Sequence, residues 1–148
     1  MQIAPGDAEQ TVGVFEHLVA LERDMIAALL ALRNRLPRAD HGQLDQLLTE
    51  HADRLPLLEE QVREMGGRPP EPGIRPGELP RDATDIAAVG DTKSAMRALA
   101  DDHEALAEAY REALALPQED QEARRLLEQF ASEMDQDSAR LAALLPPV

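Results

Sequence analysis

The sequence predicts an all-α protein: an antiparallel four-helix bundle with a long Pro-rich crossover between helices two and three. Three observations predict it. Ala, Leu, Glu and Arg dominate the composition, and all are strong helix formers. Apolar residues recur three and four positions apart in four segments bounded by Pro, Gly and Asp signals. Residues 66–81 carry five of the eleven prolines, and no helix survives there.

The elements follow in order. Asp7 with Gln10 fits a capping box that opens a first helix at about 8–36, stopped by Pro37. Asp40 with Gln43 repeats the arrangement, and a second helix runs over about 41–65 to Gly66-Gly67, a C-terminal signal. The short link at Pro37–Asp40 makes these two an antiparallel pair. Pro56 inside helix two lacks an N–H and crowds the Ala52 carbonyl, which predicts a kink close to His51. The crossover spans 66–91. Its Pro-rich part is predicted extended, at roughly 3 Å per residue enough to run the length of a ~35–40 Å bundle. A short helix is expected over 82–89. Asp91 then caps a third helix at about 92–115, and Pro117 separates a fourth at about 118–144. The 148 residues thus form a single domain.

Each long helix sets one polar residue into its apolar stripe: Glu22, His51, His103 and Asp137. Each stands three or four positions from apolar neighbours on both sides, so helical geometry turns it inward. A buried carboxylate or imidazole needs a partner, a changed protonation state or a metal. Counted from the hairpin turn near 38, Glu22 and His51 differ in height by roughly 5 Å, which side chains bridge. Counted from the turn near 117, His103 and Asp137 differ by roughly 9 Å, so Asp137 is expected outside the layer. Glu22, His51 and His103 are therefore the first metal-ligand candidates. Glu133 matches in height from the stripe's edge, and Glu50 and Glu104 adjoin the histidines. With Asp137 these form a second group of candidates. A hydrogen-bonded polar layer without metal satisfies the same residues. If an ion binds, imidazole and carboxylate donors suit Fe, Mn or Zn. His17 and His41 are expected to face solvent, and Met25, Met65, Met96 and Met134 to fill core gaps.

Composition removes several function classes. A formal net charge of −14 argues against nucleic-acid phosphate and anionic membranes as partners. The absence of cysteine removes disulfides, thiolate nucleophiles and iron–sulfur ligation. No apolar run is long enough to cross a membrane and no secretory signal pattern opens the chain, which leaves a cytoplasmic address as the default expectation. No phosphate-binding loop or Ser-His-Asp context is present.

Two helix pairs joined by a single long crossover resemble the ferritin-like bundle. The segments VREMGGRP and GDTKSAMRALADDHEALAEAYREALALP are similar to a group of uncharacterised bacterial ferritin-like proteins. The resemblance spans roughly residues 12–145. It implies a ferritin-like fold and, in metal-binding members, two ions held by carboxylates and a Glu-x-x-His pair on two helices. This chain departs from that pattern, because Glu50 is followed at i+3 by Asp53 and no Glu-x-x-His occurs anywhere. The resulting expectation is a non-catalytic ferritin-like protein with a reduced core site that binds one ion or none. The alternative is a metal-independent interaction or scaffold module, acting through an unidentified protein partner or as a homodimer. An active di-metal oxidase ranks behind both.

Overall fold

The computed structural model describes residues 5–71, 79–117 and 120–145, with the side chains of 5–9 left aside. Five α-helices are present among the described residues, and no strand. They are α1 (Pro5–Arg33), α2 (His41–Glu64), the short α3 (Ala83–Ala88), α4 (Thr92–Ala115) and α5 (Gln121–Leu144).

The helix ends obey local chemistry, with differences from the sequence expectation. α1 begins at Pro5, whose fixed φ suits a first turn, so Asp7 lies inside the helix. Its side chain is outside the described residues. α1 stops at Arg33, three residues early, because the chain tightens before Pro37: Arg35 and Leu36 donate to the carbonyls of Leu32 and Arg33. Asp40 makes no side-chain cap, since residues 38–40 form a 3-10 turn and hold it out of extended backbone. α2 runs on through Pro56, which lies with Ala52 on the exposed face, so the carbonyl that Pro56 leaves free meets water. Gly66 then closes α2 at φ 86°, and Gly67 N–H donates to Val62 O at 2.9 Å. That left-handed backbone penalises a Cβ. Gly66→Ala is expected to lower the unfolding free energy in urea by about 1–2 kcal/mol, and an unchanged midpoint would deny the strain. Asp82, Asp91 and Asp120 cap α3, α4 and α5.

Directions follow from the side-chain pairings. Glu22 meets Tyr110, while Arg35 near the end of α1 donates to Ile86 O at 3.0 Å, close to the start of α4. α1 and α4 are therefore antiparallel, and the long helices run up, down, down, up. The crossover must pass from the end of α2 to the opposite end of the bundle. Residues 72–78 lie outside the described residues, so the extended form expected of them is left there. On either side the strap is pinned. Arg23 bonds Pro70 O and Glu59, and Arg81 N–H donates to Asp102 Oδ1 at 3.2 Å. Asp102 is fully buried beneath this segment, and burial pushes its carboxyl up to about 6.

The core is aliphatic, as composition requires, with Leu from every long helix, Met25 and Met134 as fillers, and an edge-to-face Tyr110–Phe130 pair at 6.3 Å. α1 packs along α2 and α4, and α4 along α5. α2 and α5 touch only over a short stretch. The polar layer described next lies across that seam.

Candidate metal centre

Glu22, His51, His103 and Asp137 all reach the interior and are at most 2% exposed. Helical periodicity alone turns them there. They meet because the bundle brings one position of each long helix to a similar height. Asp137 joins despite its expected offset. One of its carboxylate oxygens lies within 4.8 Å of a ring nitrogen of His51 and of His103.

The contacts form one chain. Tyr110 OH donates to Glu22 Oε1 at 2.7 Å, and His51 Nδ1 lies 2.5 Å from Glu22 Oε2. His51 Nε2 faces His103 Nε2 at 3.0 Å, and His103 Nδ1 lies 2.8 Å from Ser138 Oγ. Burial first, then the nearby His51 and Arg54, push the His103 ring down to about 3, so it is neutral at neutral pH. A neutral ring carries a single proton, so it donates one of its two contacts and accepts the other. Burial, then the Glu22 charge and hydrogen bond, drive the Tyr110 hydroxyl well upward, so it stays a donor.

Arg54 completes the layer, and sequence reading missed it. One turn beyond His51, it is 2% exposed. Its Nη2 donates to Asp137 Oδ2 at 2.6 Å, its Nε to Glu133 Oε1 at 3.1 Å, and its Nη1 lies 3.4 Å from His51 Nδ1. Burial opposes the guanidinium charge, but the Asp137 bond and the Glu22 field outweigh it and hold the proton more firmly. Burial and the neighbouring Glu50 raise Asp137 to about 6 against the pull of Arg54.

The remaining candidates sit further out. Glu133 is 35% exposed, held by Arg54 and Gln129. Glu50 is 30% exposed and receives a bond from Arg140 at 2.7 Å. Glu104 is on the surface in a cluster with Arg111, away from the layer. His17 is half-buried, and His41 Nε2 bonds Leu36 O at 2.9 Å, so neither is simply solvent-facing. Among the described residues, one group of three donors could surround a single ion: one atom each from His51, His103 and Asp137, all within 4.8 Å of one another.

An up, down, down, up bundle with inward ligand-type side chains on all four long helices is the ferritin-like architecture. Comparison with solved structures agrees. The chain is similar to the conserved hypothetical protein rv2844 of Mycobacterium tuberculosis, with 16% identity, 96% of each chain covered and a TM-score of 0.81. It is similar to a DPS protein of Vibrio cholerae O1, a member of a broad superfamily of ferritin-like diiron-carboxylate proteins. There identity is 15%, 93% of this chain and 90% of that one are covered, and the TM-score is 0.74. A Desulfovibrio desulfuricans bacterioferritin with a diiron site matches at 19% identity, over 94% of this chain and 80% of that one, with a TM-score of 0.73. No protein-family model and no curated protein sequence matches the chain. The fold is ferritin-like. No described helix is long and apolar enough to cross a membrane.

Proposed function

We propose that this chain is a ferritin-like protein whose core holds a single divalent transition ion, Fe, Mn or Zn, between His51, His103 and Asp137, without two-metal redox catalysis. The observation that carries this is the pair of Nε2 atoms facing each other at 3.0 Å. Two nitrogens bound side by side to one ion at about 2.1 Å stand about 3.0 Å apart at an octahedral right angle and about 3.4 Å apart at a tetrahedral angle. Glu22 would not ligate, because it meets His51 at Nδ1, the ring nitrogen away from His103, and the three donors that close on one point are those of His51, His103 and Asp137. It fixes the ring of His51 through Nδ1 so that Nε2 points to the ion, and Ser138 does the same for His103. When bound, the ion supplies a Lewis-acid centre that cross-links α2, α4 and α5. A second ion has no Glu-x-x-His pair to receive it. His51 is preceded at i−3 by Leu48 and His103 by Ala100, and Asp137 is followed at i+3 by Arg140.

One observation favours a second reading, a structural polar layer that needs no ion: every ring nitrogen of His51 and His103 already has a protein neighbour within hydrogen-bonding distance. For an interaction module the surface offers less. Among the described residues Leu30 and Leu57, on different helices, are the exposed large apolar side chains.

The test is elemental analysis of untagged protein, joined to melting curves with Fe(II), Mn(II), Zn(II) and chelator. The expected result is one ion per chain and a gain of about 2.7 kcal/mol at a hundredfold excess over Kd, absent in the His51→Ala/His103→Ala double variant. Two ions per chain would overturn the single-ion reading. No ion and no gain would favour the ion-free layer.

A further inference from the structure

The guanidinium of Arg54 already occupies the carboxylate that an ion would take. Its Nη2 N–H aims at Asp137 Oδ2 at 2.6 Å, and Asp137 supplies the only carboxylate oxygen in the three-donor group formed by the described residues. Its Nη1 also lies 3.4 Å from the His51 ring. The guanidinium stays charged at any ordinary pH, so it cannot step aside by losing a proton. It has to move. A destination is already in contact: Glu133, which accepts from Arg54 Nε at 3.1 Å and is 35% exposed, opens toward solvent.

We propose that Arg54 is a built-in competitor of the ion: it is the cation paired with Asp137 and set in the field of Glu22 in the ion-free protein, and it gives up Asp137 and turns fully onto Glu133 when the core site fills. This rests on the single-ion reading above. The charge arithmetic supports it. With Arg54 inside, its single charge faces the carboxylates of Glu22 and Asp137, with Arg140 3.5 Å from Asp137 Oδ1 at the rim, and a divalent ion compensates both carboxylates without Arg54. The arginine charge is then surplus in the core but still paired at Glu133. Buried carboxylates are thus never left without a cation, which would be strongly unfavourable. Affinity is held down because each ion bound must displace an ion pair.

The experiment titrates Zn(II) against a competing chelator in wild type, Arg54→Met, Arg54→Lys and the Arg54→Met/Asp137→Asn pair. It also follows the Arg54 Nε–H signal of wild type by NMR. The expected result is at least tenfold tighter binding by Arg54→Met, with the gain lost when Asp137→Asn is added. Arg54→Lys, whose compact ammonium cannot fork across Glu133 and Asp137, should fall between wild type and Arg54→Met. The Arg54 signal of wild type should move on saturation with Zn(II). Wild type that binds Zn(II) while its Arg54 signal stays fixed, or Arg54→Met that binds no tighter, overturns the competition and leaves the site standing. If neither protein binds, the site and the competition fail together. Should Arg54→Met not fold, the wild-type NMR signal and the Arg54→Lys affinity decide.

Discussion

Glu22→Ala is expected to lower the melting temperature by about 10–15 °C, a loss of about 3–5 kcal/mol in a domain of this size. The carboxylate accepts from Tyr110 OH and meets His51 Nδ1, both fully buried. Removing it strands two polar groups and takes away the field that helps to hold Arg54 charged. Glu22→Gln should cost less, since an amide oxygen still accepts one of the two bonds. Calorimetry of the ion-free protein reads the difference. A loss below about 1 kcal/mol for Glu22→Ala would mean that the layer does not depend on this charge.

The inward place of Glu22 was legible because one carboxylate interrupts an apolar stripe on α1. The same signal marks His51, His103 and Asp137, and all four are buried. What the stripes could not show was how the layer is closed. Arg54 lies one turn from His51, but an arginine on an acidic helix reads as a solvated charge. Only Asp137 and Glu133, supplied by a helix some eighty residues away, keep it inside. Tyr110 reads as an apolar filler until its hydroxyl is seen against Glu22. Asp102 shows the limit in another way. Its helix position is unremarkable, and it is buried because the end of the crossover folds over it. Asp137 looked displaced because residues were counted from one turn at equal rise, and a count along the chain does not fix where the next helix starts.

The second large effect concerns acid. His103 takes up a proton near pH 6.5 when unfolded, but only near about 3 in the folded bundle. Between those values the unfolded chain holds the extra proton, so stability falls as the pH falls. The contribution is fully present above pH 6.5, shrinks by up to about 1.4 kcal/mol per pH unit below it, and is gone by about pH 3. Asp102 and Asp137 act in the opposite sense. Raised to about 6 when folded, they bind protons more readily there and favour the folded state between about 6 and 3.8. Wild type compared with His103→Gln isolates the histidine. The variant should lose less stability than wild type between pH 6.5 and 4, by about 2–3 kcal/mol. Parallel pH profiles for the two proteins would show that His103 is not held neutral by burial.

Burial by the bundle sets both effects, and the same burial gives the two histidines their facing nitrogens. The fold itself was readable from Pro, Gly and capping Asp signals, because each acts through local backbone geometry: Gly66 and Asp91 sit where those rules place them. Helix starts such as Pro5 and the 3-10 turn at 38–40 were not, since near-equal local choices there are decided by packing.

The most direct measurement is anomalous diffraction at the zinc edge from crystals of the wild-type protein equilibrated with Zn(II). The account predicts one peak per chain, in contact with Nε2 of both His51 and His103 and with the Asp137 carboxylate. Two peaks bridged by carboxylates, or no peak with the two rings still in mutual contact, would contradict it.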